Sequence, residues 1–156
     1  KLDTTYKEVN KNFSEFFKRL FMGGRAELQL MGDEILDTGL QVSAQPPGKK
    51  NTTINLLSGG EKALTAISLI FALFKLNPSP FCVMDEVDAP LDDTNTGNFC
   101  SLVKEMAEKT QFLIVTHNRI TMEIAEQLVG VTQQELGVSR IVEVDMRDID
   151  DMELAY

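Results

Sequence analysis

Two short apolar runs, each closed by polar residues able to do chemistry, constrain this chain more than any other feature. Phe81-Cys82-Val83-Met84 ends in Asp85-Glu86, and Gln111-Phe112-Leu113-Ile114-Val115 ends in Thr116-His117. Uncharged runs of this length fit strands buried on both faces, as in parallel sheets flanked by helices. Helical patterns lie between and around them. Ala63 to Leu76 is apolar nearly all round, Phe99, Leu102, Val103 and Met106 mark one helical face, and Met122, Ala125 and Leu128 another. Ile141-Val142-Glu143-Val144 reads as a third strand. Strand, helix, strand, helix, strand predicts an α/β fold with mainly parallel, buried strands flanked by helices.

The first twenty residues carry a different pattern. Leu2, Tyr6, Val9, Phe13, Phe16 and Leu20 recur at steps of 4, 3, 4, 3 and 4, the seam of a helix that packs on another helix. Fewer than three heptads are present, so the seam serves equally for the end of a coiled coil or for an amphipathic helix on a globular core. Gly23-Gly24 ends this helix. Ala26 to Leu30 and Gly39 to Ala44 alternate as strands do, with Gly32-Asp33 and Asp37-Thr38-Gly39 bracketing their connection. Pro46-Pro47-Gly48-Lys49-Lys50-Asn51 reads as an exposed loop. The division expected is a leading helix over residues 1–20 and one lobe over residues 21–156.

Composition removes several function classes. The 156 residues hold 24 Asp+Glu against 15 Lys+Arg, a formal charge of −9. That balance argues against this segment gripping nucleic acid through a broad basic face. No window approaches 18 uncharged apolar residues, so no transmembrane helix is expected. Lys1-Leu2-Asp3-Thr4 lacks the apolar stretch of a signal peptide, and the missing initiator Met suggests processing or a piece of a longer polypeptide. Cys82 and Cys100, 18 positions apart, are too few and too distant for a metal site or a disulfide framework. They are expected as small buried thiols in a reducing compartment.

Three groups of residues could carry chemistry. Asp85-Glu86 closes an apolar run and should lie at the carboxyl edge of a strand, where α/β sheets bind ligands. One carboxylate there can hold Mg²⁺ while its neighbour acts on a water molecule. The competing reading is a solvated acidic turn that continues into Asp88, Asp92 and Asp93. His117, the only histidine, ends the other run and should share that edge, where an imidazole can bond a phosphate or orient a water. Ser58-Gly59-Gly60 opens a helix, and its N–H groups and hydroxyl make an anion site at the positive end of the helix dipole, or an ordinary N-cap. A P-loop is missing. The only Gly-Lys pair, Gly48-Lys49, would need Gly at position 43 and Ser or Thr at 50, where the chain has Ser43 and Lys50.

These residues together resemble a family. Leu57-Ser58-Gly59-Gly60-Glu61-Lys62 is similar to the signature loop of ABC-type ATPases, and Phe81 to Glu86 to their Walker B strand. Ala89-Pro90-Leu91-Asp92 resembles the D-loop, and Thr116-His117-Asn118 the switch histidine, all in the family's order. Glu61-Lys62-Ala63-Leu64, Asp85 to Asp93, Gly23 to Leu28, Ala44 to Lys50, Gly130-Val131-Thr132 and Gly137 to Arg140 resemble the SMC branch, the chromosome-organising ATPases, in its bacterial condensin type.

The resemblance implies the C-terminal lobe of an ATPase head, with residues 1–20 as the end of a returning coiled coil and the P-loop in a separate N-terminal lobe. It implies ATP and Mg²⁺ as cofactors, Asp85 on the metal, Glu86 as general base and His117 on the γ-phosphate. It further implies that Ser58, Gly59 and Gly60 contact the ATP of an opposite head, and that Asp92 couples the two sites. Implied partners are the N-terminal lobe, a second SMC head, a kleisin-type subunit and DNA through the full-length protein, with no membrane. The implied location is the cytoplasm, at the nucleoid, and the implied work is chromosome condensation and segregation. The lobe alone, lacking a P-loop, is expected not to hydrolyse ATP. The rival readings are the head lobe of a related DNA-repair or recombination ATPase, a transporter nucleotide-binding subunit, and a non-hydrolysing lobe that docks a partner.

Overall fold

The computed structural model describes residues 2–32, 39–50, 52–135 and 137–146, so Asp33, Asp37 and Thr38 of the expected connection lie outside the described residues. Helix α1 (Leu2–Leu20) buries Val9, Phe13, Phe16, Phe17 and Leu20, while Leu2 stays exposed. From Val9 onward, then, the seam is covered by the chain's own core. The helix ends in a left-handed turn, with Met22 at φ 56 and the Gly23 N–H donating to the Lys18 carbonyl at 2.8 Å. A Cβ on Gly24 would lie 2.4 Å from the Gln45 carbonyl oxygen, so no larger residue fits there without moving backbone.

Strands β1 (Arg25–Leu30), β2 (Leu40–Gln45) and β3 (Thr52–Thr53) form an antiparallel sheet in that order. Its face carrying Ala26, Leu28 and Ala44 is buried. Two α1 side chains tie down β1: the Tyr6 hydroxyl donates to the Leu28 carbonyl at 2.5 Å, and Asn10 Oδ1 accepts the Leu28 N–H at 2.8 Å. A single 3-10 turn, Ile54–Leu56, leads into helix α2 (Gly59–Leu76). Leu64, Ile67, Phe71 and Ala72 face the core, but Ile70 and Leu73 are exposed, so α2 is apolar all round without being buried all round.

Strands β4 (Phe81–Asp85) and β5 (Gln111–Val115) pair in parallel, Cys82 opposite Phe112 and Asp85 opposite Val115, with helix α3 (Asp93–Ala107) between them in sequence. This is the expected crossover unit. Its inner residues Cys82 and Met84 are buried, whereas Phe81, Val83, Leu113 and Val115 on the outer face are 62%, 58%, 60% and 51% exposed. Burial on both faces, expected from the uncharged runs, is therefore met on one face only. Both cysteines are free and buried, and burial pushes both thiols up from their ordinary range.

The C-terminal part departs from the expectation. Helix α4 (Arg119–Met122) is one turn, and Leu128, expected on a helical face with Met122 and Ala125, lies in strand β6 (Gln127–Glu135). Ile141 to Val144 belong to β7 (Val138–Asp145), which pairs antiparallel with β6 in a separate two-stranded sheet instead of extending the parallel one. The class is α/β, and its parallel part among the described residues is one pair.

The core gathers on Phe71. Its ring meets Phe99 of α3 at 6.4 Å between centroids with planes 4° apart. Phe16 of α1 and Phe112 of β5 approach it edge-on at 6.2 and 6.3 Å. One side chain thus joins four elements.

Candidate functional site

The parallel register brings the two polar run ends together. Asp85 is the last residue of β4 and is exposed; Glu86 follows with its backbone in the left-handed region, φ 47, and its N–H donating to the Val115 carbonyl at 2.8 Å. A non-glycine residue held there stores strain, a feature that gathers at functional sites. His117 leaves the end of β5 beside it, with Nδ1 3.6 Å from Glu86 Oε1. That distance is too long for a hydrogen bond and short enough for an ion pair when the imidazole is protonated. Both side chains are well exposed, so the edge is open to a ligand.

Ser58 caps α2. Its hydroxyl accepts the Glu61 N–H at 3.4 Å while Glu61 Oε2 accepts the Ser58 N–H at 2.9 Å, a reciprocal capping box. Glu61 Oε1 pairs with Lys49 Nζ at 2.7 Å. The Lys49 hydrogen bond, with that from the Ser58 backbone, holds the Glu61 carboxyl below the usual carboxylate range. Gly59 and Gly60 form the first turn, whose N–H groups have no intrahelical acceptor. Open space surrounds Gly59, whereas a Cβ on Gly60 would lie 2.8 Å from the Pro90 carbonyl oxygen. The loop 57–60 therefore rests against the turn 89–92, and this contact is a reason for Gly60 to be glycine that the sequence does not reveal. Asp92 ends that turn as the cap of α3, accepting the Asn95 N–H at 2.8 Å and the Asn95 side-chain amide at 3.1 Å.

Asp85, Glu86 and His117 thus form one edge, and Ser58, Gly59, Gly60 and Asp92 form a second group linked through Pro90. The hydrogen bonds of Ser58 stay within its own helix turn. The acidic segment is not uniformly solvated: Asp92 and Asp93 are exposed, but Asp88 is 1% exposed. Its Oδ2 accepts from the Thr116 hydroxyl at 2.6 Å and from the Thr121 hydroxyl at 2.5 Å. Sequence reading does not find the contacts among Asp88, Thr116 and Thr121, because Asp88 stands in an acidic run and looks solvated. Its one signal is position, between Val87 and Ala89 and directly after the carboxylate pair.

A lobe of this build, with an acidic strand end facing a histidine and a Gly-opened helix beside it, has known relatives. The family model described as "RecF/RecN/SMC N terminal domain" matches residues 4–140, and the chain belongs to that family. Within it, the chain is 67% identical over 145 residues to the chromosome partition protein Smc of Burkholderia pseudomallei (strain 1710b), covering 93% of this chain and 12% of that protein. The chain thus spans about an eighth of the length of such relatives. Among solved structures it is similar to the Smc head domain with an extended coiled coil, bound to the C-terminal domain of ScpA, derived from Pyrococcus furiosus. That match has a TM-score of 0.91 and 37% identity over 98% of this chain and 38% of the other. A chain from the structural biochemistry of ATP-driven dimerization and DNA-stimulated activation of SMC ATPases matches with a TM-score of 0.84 and 36% identity, covering 98% of both.

Proposed function

We propose that this chain is the C-terminal lobe of an SMC-type ATPase head whose P-loop lies in a separate N-terminal lobe. The strand-end edge carries the reading: Asp85 and Glu86 close one parallel strand, and His117 follows the next with its Nδ1 3.6 Å from Glu86 Oε1. The family description speaks of an N-terminal domain. Against that label stands the sequence, which holds no Gly-x-x-x-x-Gly-Lys-Ser/Thr and whose one Gly-Lys lysine pairs with Glu61. The outer face of Phe81, Val83, Leu113 and Val115 supports the same division. Four large apolar side chains exposed on a parallel pair suit a sheet that another lobe continues or covers.

On this reading Asp85 holds Mg²⁺. The described residues contain no cluster of three or more metal-ligating side chains, and a single carboxylate suits an ion that takes most of its ligands from phosphate and water. The bound ion supplies neutralisation of phosphate charge. Glu86 orients the attacking water and accepts its proton, and His117 donates a hydrogen bond to the γ-phosphate. Ser58, Gly59 and Gly60 offer the hydroxyl and first-turn N–H groups of α2 to the ATP of the opposite head, and Asp92 couples the two sites. Phosphoryl transfer depends mainly on such positioning, so dividing the parts makes hydrolysis conditional on head engagement.

The whole protein is then a homodimer of heads that ATP clamps and hydrolysis releases, with residues 1–20 leading into a coiled coil. It binds a kleisin-type subunit, as the Pyrococcus furiosus head binds ScpA, and DNA through regions beyond this acidic lobe. Its place is the cytoplasm, at the nucleoid, and its work is chromosome condensation and segregation by DNA tethering or loop movement. No helix among the described residues is long and apolar enough to cross a membrane.

Steady-state ATP hydrolysis tests the reading. The chain alone is expected to be silent, and joined to the upstream lobe of its own gene it is expected to turn over ATP. In the joined protein Glu86→Gln should keep the heads engaged with ATP while turnover falls by roughly 100-fold or more. Hydrolysis by the chain alone, or wild-type turnover by the variant, would overturn it.

A further inference from the structure

We propose that Asp88 is a positioning residue: its buried carboxylate clamps the segment after β4 to the segment after β5, and so sets Glu86 and His117 against each other. The inference rests on the hydrolytic reading above, which gives roles to Glu86 and His117 and none to Asp88.

A carboxylate 1% exposed is expensive to desolvate unless hydrogen bonds replace its water. Here one oxygen takes two hydroxyl protons, from Thr116 at 2.6 Å and Thr121 at 2.5 Å. Because Asp88 accepts both, each threonine must act as donor toward it. The lone pairs of Thr116 Oγ1 then remain for the Asn118 N–H, which they accept at 2.9 Å. Thr116 and Asn118 flank His117, so the backbone on both sides of the imidazole is fixed through one hydroxyl. Thr121, 2% exposed, anchors the same carboxylate to α4.

The other arm is backbone. The Ala89 N–H donates to the Glu86 carbonyl at 3.2 Å and the Leu91 N–H to the Asp88 carbonyl at 3.0 Å, which closes the turn that carries Pro90 toward Gly60. The Glu86 N–H reaches Val115 at 2.8 Å. Glu86 is therefore held across to β5 by its own backbone, and the chain two residues later is held across again by the Asp88 side chain. The two cross-links close a ring through Val115, Thr116, Asp88 and Glu86. That ring is what brings the exposed Glu86 at φ 47 and the exposed His117 to 3.6 Å from each other with no direct hydrogen bond between them.

The test compares Asp88→Ala, Thr116→Val and Thr116→Ser. Alanine at position 88 removes the one oxygen that takes both hydroxyls, valine keeps the shape of threonine without its hydroxyl, and serine keeps the hydroxyl. In the full-length protein Asp88→Ala and Thr116→Val should lower kcat roughly 10- to 100-fold while the KM for ATP stays within twofold. Thr116→Ser should stay near wild type. His117 is the only histidine of this chain, so with isotope label confined to this lobe its imidazole signals are read directly by NMR. Their nuclear Overhauser contacts to the Glu86 side chain should vanish in Thr116→Val and persist in Thr116→Ser. Wild-type kcat in both clamp variants with those contacts intact would overturn the proposal, as would serine failing as badly as valine. If instead the wild-type protein hydrolysed no ATP, or Glu86→Gln turned over normally, the hydrolytic reading would fall, and the NMR comparison would still decide the clamp.

Discussion

A side chain added at Gly59 would meet open space, while one added at Gly60 would meet the Pro90 carbonyl at 2.8 Å. The two neighbours should therefore respond in opposite directions to the same substitution. Gly59→Ala removes backbone freedom from the unfolded chain in the first turn of α2 and should raise stability by about 0.5–1 kcal/mol. Gly60→Ala forces the turn 89–92 away and should cost about 1–3 kcal/mol. Urea unfolding of the two variants beside wild type checks both signs. The glycines are legible in the sequence, as is their place at the start of a helix. That Gly60 is hemmed in by packing while Gly59 stands open is not legible, because Pro90 is remote from Gly60 along the chain. Asp88 was obscured for a related reason: its two threonine partners lie 28 and 33 residues downstream.

At the scale of the element, α2 depends on its cap. Glu61 is held below the usual carboxylate range by Lys49 and by the Ser58 backbone. A carboxyl lower in the folded than in the unfolded state stabilises the fold above its unfolded value of about 4.3. The contribution is lost as pH falls through the lower, folded value. Glu61→Gln removes the charge pair with Lys49, an effect of roughly 0.2–1 kcal/mol for a surface pair of this kind. The stability gap between variant and wild type should be present at neutral pH and close in acid, measured as melting temperature across a pH series. Elements were legible where period and punctuation agreed, as at α2, with its Ser-Gly-Gly opening, and at β4 and β5, with their polar ends. They were misread at residues 122–128, where Met122, Ala125 and Leu128 mimic a helical step over too short a window. Val129, Val131 and Thr132 are β-branched and take the chain into β6 instead.

For the molecule as a whole, Phe71 is the residue on which α1, α2, α3 and β5 converge. Phe71→Ala should destabilise the chain by about 3–5 kcal/mol, read from chemical unfolding, because rings on three sides leave little room for collapse. Sequence periodicity identified the residues that make this core. It could not tell whether the outer face of β4 and β5 is covered by the same chain, since an uncharged run reads alike in either case.

Helix α3 spans the distance between the strand-end edge and α1. One end is capped by Asp92, in the turn that abuts Gly60. Along it Asn98 donates to the Leu20 carbonyl at 3.2 Å, and near the other end Glu105 accepts from both guanidinium nitrogens of Arg19 at 3.3 and 2.5 Å. A helix of 15 residues is a stiff rod about 22 Å long. With Phe99 and Leu20 buried in the same core, that rod cannot tilt at the Asp92 turn without levering the last turn of α1. A displacement of the Asp92 turn would thus be expected to reach the leading helix along this rod, and a displacement of the leading helix to reach the turn.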